Sequence, residues 1–263
     1  MRDEKCYTCG RSNPGLWGFG PALRRLGTDF GFTQVVIGAC VTIWAATLLM
    51  SGGGIGGGGG ILSMLSPSST VLILFGASGA YPVFGLGRWW TVLSAGWLHA
   101  GLLHIGMNMY WLYQMGPALT ELFGSARTVI IYTAGGIAGF TLSSVAGAYL
   151  PAIPLLGGGG GLTVGASAPL FGMIGALYHY GRSGSSMARQ MALSIMIQTL
   201  IFGILVPGID NYAHLGGFAG GYLTSAFLNP MTRERGDHMI IAALCLVASA
   251  ASIAASLLTV FLR

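Results

Sequence analysis

The chain has 263 residues, of which 53% are hydrophobic and only 7% are charged, and its mean hydropathy is +0.71. Ordinary soluble domains carry about 25% charged residues, so this composition excludes a water-soluble globular protein and favours a polytopic membrane protein. The formal net charge of +5 does not call for a nucleic-acid partner, because basic loops beside anionic lipid account for it.

Residues 1–32 form a polar leader before the first apolar run. The leader contains Cys6 and Cys9 as a CxxC pair, which looks like half of a zinc ribbon. A structural zinc site needs four ligands, and the other cysteines, Cys40 and Cys245, lie inside predicted membrane spans. An exposed pair of reduced thiols, a zinc site shared between two chains and a redox role all stay open. The leader lacks a short apolar stretch with a small-residue cleavage site, so we expect no cleaved signal peptide.

Seven apolar runs follow, each near the ~20 residues that cross a hydrocarbon core of about 30 Å. Short polar or Gly/Pro-rich breaks separate them. We therefore predict an all-α bundle of about seven transmembrane helices, divided into the tail 1–32, a six-helix core at 33–232 and a seventh span in 233–263. The predicted spans are residues 33–51, 101–119, 128–148, 165–181, 191–206, 211–228 and 239–261.

The connection between the first two spans is about fifty residues long, which is more than a simple connector needs. A glycine run at 52–60 opens it, and an amphipathic aromatic stretch follows from about residue 68 to residue 100. We expect this stretch to fold into the membrane interface, where most of its aromatic side chains would serve as anchors. These side chains are Phe75, Tyr81, Phe84, Trp89, Trp90 and Trp97.

The distribution of Lys and Arg among the loops predicts the orientation. A cytoplasmic N-terminus leaves only Arg88 and Arg263 outside, so we predict that orientation, with the second, fourth and sixth spans beginning at the outer surface. The ten basic residues then inside are Arg2, Lys5, Arg11, Arg24, Arg25, Arg127, Arg182, Arg189, Arg233 and Arg235.

Polar side chains in three of the spans cannot face lipid and must point into the bundle. The second span carries His104 and Asn108 on one face, the fourth begins just before Ser167, and the sixth carries His214. At 1.5 Å per residue all four lie within roughly 10 Å of the outer ends of their helices. We predict that they converge on one cavity opening to the outer side. A hydroxyl, an imidazole and nearby donors are the groups that acyl transfer requires.

Taken singly, a serine in a span is usually a helix–helix hydrogen bonder, and a histidine is as often structural as catalytic. Four polar groups at one depth nevertheless favour catalysis. Gly217 and Gly221 follow His214 with GxxxG spacing, which predicts close helix packing. Asp210 precedes the sixth span, so we predict a Ser/His dyad rather than a triad. We expect His238, at a different depth, on the cytoplasmic-side surface.

Three strings carry a resemblance to a known family, the rhomboid intramembrane serine proteases. They are HAGLLHIGMN at 99–108, GASAPLFG at 165–172 and AHLGGFAGG at 213–221, and they resemble the three signature helices of that family in order and in context. The resemblance covers roughly residues 70–230. The seventh span fits the family's six-plus-one form.

The resemblance implies that Ser167 is the nucleophile, that His214 is its base, and that Asn108 and His104 donate to the oxyanion. It implies no metal and no cofactor. The substrates that it implies are single-span membrane proteins whose helix unwinds near small residues in the bilayer. Supporting roles are implied for His99, Gly165 and Phe171, the last packing against the base.

Two features of the outer loop differ from the family or imitate its motif. The outer loop of the family often carries a Trp-Arg pair, whereas here Trp90 is followed by Thr91 and Arg88 lies upstream, which puts the usual anchoring of this loop in question. The string GASGA at 76–80 imitates a nucleophile motif. Because Ser78 has no histidine partner at its depth, we interpret it as part of a turn.

Two other classes of function fit the sequence less well than a protease. A non-cutting membrane binder or chaperone of rhomboid type would not need Ser167 and His214, and both are present. A proton-relaying transporter needs ionisable groups strung across the membrane. Apart from Glu121, at the cytoplasmic end of the second span, the sequence offers no carboxylate at mid-membrane depth. The oligomeric state and the identity of a substrate are not predicted.

Overall fold

A computed structural model describes residues 31–52, 64–151, 153, 156, 161–206, 208–232 and 234–261. Within these ranges the chain is helical, and its one extended pairing is an isolated antiparallel bridge between Ser78 and Thr163. A π-helical turn at Tyr81–Gly85 and a 3₁₀ turn at Ala95–Trp97 lie between the longer elements. The α-helices are α1 Phe32–Met50, α2 Ser69–Phe75, α3 Thr91–Ser94, α4 Leu102–Phe123, α5 Ser125–Tyr149, α6 Ser167–Ser183, α7 Ser186–Leu205, α8 Asn211–Ala226 and α9 Gly236–Phe261.

The predicted all-α bundle is confirmed, and seven of these helices coincide with the seven predicted spans. The largest error concerns α7, which was expected from residue 191 and begins at Ser186. Ser185 caps this helix, because its side chain accepts a hydrogen bond from the Ala188 N–H at 3.2 Å. The predicted loop 182–190 is therefore wrong, and only Gly184 and Ser185 separate α6 from α7.

In the described part of the chain, four helices are long and apolar enough to cross a membrane by themselves, namely α1, α5, α7 and α9. The helices α6 and α8 have 17 and 16 residues, which is about 25 Å at 1.5 Å per residue and short of a ~30 Å core. Together with α4, these are the helices that carry the predicted polar residues.

Glycines bring α5, α6 and α8 into close contact at the centre of the bundle. A Cβ added to Gly221 in α8 would overlap the carbonyl oxygen of Gly172 in α6, and one added to Gly217 would overlap that of Ala168. A Cβ on Gly139 in α5 would lie 2.5 Å from the carbonyl oxygen of Ala213. Without side chains between them the three backbones approach closely, and this fixes the relative positions of the starts of α6 and α8.

A buried arginine joins the start of α5 to the segment between α8 and α9. Arg127 is 1% exposed and its guanidinium donates to the carbonyl oxygens of Asn229 at 2.6 Å and Thr232 at 2.8 Å. Its Nε donates to His238 Nδ1 at 3.2 Å, and its backbone N–H donates to Glu234 Oε1 at 2.9 Å. His238, expected on the surface, is half-buried in this cluster, so part of the residue stays exposed.

The segment between α1 and α4 packs against α9. Trp90 Nε1 donates to Ser256 Oγ at 3.0 Å, and Arg88 Nη1 donates to the carbonyl oxygen of Ile73 at 3.2 Å. Arg88 is buried, so this segment is held together by an arginine even though Thr91 follows the tryptophan. The anchoring is internal to the protein and includes the C-terminal helix.

The six aromatic residues of this segment differ in burial, and Trp90 is partly buried. Tyr81, Phe84 and Trp89 are exposed, as expected for side chains at an interface. Phe75 and Trp97 are buried and belong to hydrophobic clusters inside the protein. For these two, the interpretation as interface anchors is wrong, because their rings fill space between the short helices and the bundle.

Candidate active site

Ser167 is the first residue of α6 and is half-buried. Its backbone N–H belongs to the first helical turn, where the amide groups have no carbonyl partner within the helix. Two residues earlier, Gly165 has φ +125, a conformation that side chains rarely adopt. A Cβ there would lie 2.5 Å from His104 Nε2 and 3.6 Å from Asn108 Nδ2. Gly165 thus lets the chain pass directly beside both predicted oxyanion donors.

Hydrogen bonds within α4 define which atoms of these two side chains remain available. The Ala100 N–H donates to His104 Nδ1 at 3.3 Å, so a neutral His104 carries its proton on Nε2, the atom that faces Gly165. Asn108 Nδ2 donates to the carbonyl oxygen of His104 at 2.9 Å. Because an amide group has two hydrogens, one is left to donate elsewhere. The site therefore presents two N–H donors beside the backbone that leads to Ser167.

His99 binds the residue between Gly165 and Ser167. It is fully buried, and its Nε2 accepts a hydrogen bond from the Ala166 N–H at 3.4 Å. Burial, and to a smaller extent His104, hold the pKa of His99 well below its ordinary value, so the ring is a neutral acceptor. The Gly165 N–H donates to the Ala95 carbonyl oxygen at 3.0 Å. The two residues that precede Ser167 are consequently fixed by hydrogen bonds.

His214 lies in the first turn of α8 and is 7% exposed. Its ring is stacked on Phe171, with a centroid distance of 4.2 Å and an interplanar angle of 7°. Phe171 is one turn after Ser167 on α6, so the helix that carries the serine also orients the imidazole plane. Among the residues that the structure describes, His214 Nδ1 has no hydrogen-bond partner. Packing, rather than a carboxylate, holds this ring.

The carboxylate of Asp210 is bound elsewhere. Its Oδ1 caps α8 by accepting from the Ala213 N–H at 3.0 Å. Its Oδ2 accepts from Thr163 Oγ1 at 2.7 Å and from Ser143 Oγ of α5. Sequence reasoning missed this cluster, although an Asp just before an apolar run is a recognisable N-cap signal.

The interpretation of Ser78 as part of a turn is wrong. Ser78 is buried, and its backbone pairs with that of Thr163 through N···O distances of 3.1 and 2.8 Å. Its hydroxyl lies 3.3 Å from Ser144 Oγ in α5. The loop before α3 therefore supports the segment leading to Ser167, while its own serine hydroxyl is paired with another serine.

No metal site is formed by the described part of the chain, in the sense that no three His, Cys, Asp or Glu side chains are grouped to hold an ion. Cys6 and Cys9 lie outside the described residues. Cys40 in α1 and Cys245 in α9 are free thiols, the first buried and the second half-buried.

Comparison with known proteins gives a consistent result. The sequence model of the rhomboid domain matches residues 86–231. The rhomboid protease GluP of Bacillus subtilis is 33% identical over 184 residues, which are 68% of this chain and 34% of that protein. RHOMBOID-like protein 1 of Arabidopsis thaliana is 36% identical over 61% of this chain and 40% of its own length. Rhomboid-like protease 5 of Toxoplasma gondii is 30% identical over 60% and 18%, respectively. The chain thus spans less than half of each of these three relatives.

Proposed function

Because the chain belongs to the rhomboid family, we propose that this integral membrane protein is a serine protease that hydrolyses peptide bonds in or near transmembrane segments of other membrane proteins. The match over residues 86–231 includes every residue of the candidate active site. Two of the similar proteins are themselves named proteases. The observation that carries the proposal is the position of His104 Nε2 and Asn108 Nδ2 beside Gly165, just before Ser167.

In the proposed mechanism Ser167 Oγ attacks the scissile carbonyl carbon while His214 takes the hydroxyl proton. Negative charge then forms on the former carbonyl oxygen. His104 Nε2–H, the second amide hydrogen of Asn108 and the Ser167 backbone N–H donate to it. His214 returns the proton to the leaving amine, and the C–N bond breaks. The acyl group is then bound to Ser167 Oγ as an ester. A water molecule activated by His214 hydrolyses this ester and regenerates the serine.

We propose single-span membrane proteins as the substrates. A peptide bond inside a helix is shielded by its hydrogen bonds, so the substrate helix must unwind before Ser167 reaches a carbonyl. Gly, Pro or polar residues make this unwinding easier. The proposed catalytic groups lie in the first two turns of α4 and in the first turns of α6 and α8, so the cavity is proposed to open at that end of the bundle, on the outer face of the membrane.

The central experiment compares the purified wild type with Ser167→Ala on a single-span test substrate. Turnover should fall by at least about 10⁴-fold, while the loss of one hydroxyl should lower the stability by only about 1 kcal/mol. Continued cleavage by Ser167→Ala would overturn the assignment. Tight binding of the substrate by the wild type without any cleavage would show a membrane binder instead.

The orientation has its own test. Single cysteines replace Tyr81, which is exposed near the proposed outer end, and Gly184, which has open space around it between α6 and α7. In intact cells a membrane-impermeant maleimide should label Tyr81→Cys and spare Gly184→Cys, with the native cysteines replaced by serine. Labelling of Gly184→Cys alone would reverse the proposed orientation.

A further inference from the structure

The Asp210 carboxylate connects three elements that meet beside Ser167 and His214. It caps α8 through Ala213, accepts from Ser143 of α5, and accepts from Thr163 in the segment that leads to α6. It is 9% exposed, and every one of these donors is a neutral group. A buried carboxylate that is satisfied in this way fixes its donors strongly, because hydrogen bonds to an ionised acceptor are shorter and stronger than neutral ones.

On one side of the carboxylate lies the segment that carries the proposed nucleophile. The Thr163 hydroxyl binds Asp210, and the Thr163 backbone pairs with Ser78. Two residues further on, Gly165 is bonded to Ala95, and Ala166 to His99. Thr163 is thus the first of several fixed points along the chain that ends at Ser167.

On the other side lies the first turn of the helix that carries the proposed base. The His214 N–H donates to the backbone carbonyl oxygen of Asp210 at 3.3 Å, and the Asp210 side chain closes the same turn at Ala213. The position of His214 therefore follows that of Asp210. The serine and the histidine, 47 residues apart in sequence, are connected through one carboxyl group.

We propose that Asp210 is a positioning residue, which ties the segment before Ser167 to the first turn of α8 and so sets the distance between the Ser167 hydroxyl and the His214 imidazole. The inference rests on the proposed function. It differs from a triad, because Asp210 touches neither the substrate nor the imidazole and acts through Thr163 and the helix cap.

An ordinary N-cap would also use an aspartate, so the test must separate the cap from the tether. Asp210→Ser keeps a side chain that can cap α8, but is too short to reach Thr163 and Ser143 as well. Asp210→Asn keeps the cap, and its amide can donate to both hydroxyl oxygens. Thr163→Val removes the tether from the other end with almost no change in volume, and leaves the backbone bridge to Ser78 intact.

The matched control is Ser185→Ala. Ser185 caps α7 by the same kind of hydrogen bond, to Ala188 at 3.2 Å, in a turn that holds none of the proposed catalytic groups. Loss of this cap should lower the unfolding temperature and leave kcat unchanged. It therefore shows how much of any effect at Asp210 is general stability.

The test measures kcat, KM and the unfolding temperature of each folded variant, with the same single-span substrate throughout. Thr163→Val and Asp210→Ser should each lower kcat by about 10–100-fold with little change in KM, as expected when reacting groups are misplaced by a fraction of an ångström to 1 Å. The double variant should be hardly worse than the single ones, because both remove one connection. Asp210→Asn should restore most of kcat.

Wild-type kcat in Thr163→Val overturns the inference, even if Asp210→Ser does not fold. Losses in Asp210→Asn as large as in Asp210→Ser also overturn it, since charge rather than tethering would then matter. These outcomes are distinct from failure of the proposed function, which is seen when cleavage by the wild type does not depend on Ser167.

Discussion

A buried arginine, Arg127, lies at one end of α5, and a buried aspartate, Asp210, is bound near the other end. The polar groups around the two side chains differ. Arg127 lies in the first turn of α5 and Ser143 lies sixteen residues later, about 24 Å along the helix axis at 1.5 Å per residue. At the first end the three guanidinium nitrogens of Arg127 all donate to acceptors. At the other end Asp210 is likewise satisfied, but His214 keeps a ring nitrogen without a described partner, and Asn108 keeps a spare hydrogen.

The difference separates architecture from chemistry. Buried polar groups that are fully paired stabilise one arrangement of the helices and have nothing left to offer a substrate. Donors and acceptors that stay unpaired in a buried site lower stability, but they are already aimed at charge that forms during a reaction. Substitutions at the Arg127 end should therefore change stability without changing turnover, and substitutions of the unpaired groups beside Ser167 should do the reverse.

His214→Ala should have the largest effect. Without the base, kcat should fall by at least about 10⁴-fold, while the unfolding temperature changes little because only one stacked ring is lost. Cleavage assays and thermal unfolding in the same detergent measure both quantities. A substantial residual kcat would show that another group takes the proton, and the assignment of His214 as the base would then be wrong.

Asn108→Ala comes next. Loss of one placed donor should lower kcat by about 10²–10³-fold with KM almost unchanged, because the interaction is made mainly in the transition state. The remaining donors, from His104 and the Ser167 backbone, favour the lower end of this range. Met107→Ala, on the exposed side of the same turn, is the control and should keep both constants. A rise in KM at constant kcat would indicate that α4 is a packing element, and the assignment of Asn108 as an oxyanion donor would then be wrong.

Arg127→Met tests the paired end. Loss of the guanidinium removes the donor to His238 Nδ1 and to the carbonyl oxygens of Asn229 and Thr232, so the free energy of unfolding should fall by about 1.5–3 kcal/mol. The kcat of the folded fraction should not change. Arg182→Ala is the matched control, since its exposed bond to Tyr222 should contribute at most about 1 kcal/mol. A loss of kcat in Arg127→Met would mean that the two ends are coupled.

Ser78→Ala should have the smallest effect. Its hydroxyl is paired with Ser144, so the change should lower stability by about 1 kcal/mol and leave kcat within a few-fold of the wild type. The backbone bridge to Thr163 survives the substitution. This variant shows which of the two serine motifs is reactive, and abolished cleavage would contradict the assignment of Ser167.

The helices and the site residues could be predicted because both depend on local signals. A run of apolar residues as long as the membrane is thick predicts a span, and polar residues such as Asn108 and His214 are excluded from lipid wherever they occur in one. Equal depth from the helix starts then placed Ser167, His104 and His214 in one layer. The catalytic roles remain predictions.

What the sequence did not predict depends on contacts between distant residues. Thr163 and Asp210 are 47 residues apart, and Ser143 and Asp210 are 67 apart. Each is a small polar residue, which by itself indicates only a loop or a helix-packing position. The sequence predicts Arg127 as a basic loop residue, because none of the residues next to it in sequence indicates the four partners that bury it. Such pairings follow from the packing of helices, which a single sequence does not specify.

The hydrogen bond between Trp90 and Ser256 joins residues that are 166 positions apart, and it bears on how the protein is made. Ribosomes synthesise the chain from the N-terminus, so α9 leaves the ribosome after all the other described helices. Until then the segment between α1 and α4 lacks the helix it packs against, and this segment supplies the backbone partners of Thr163 and Gly165. We expect the nascent protein to stay inactive until synthesis reaches α9, which would protect neighbouring membrane proteins from premature cleavage.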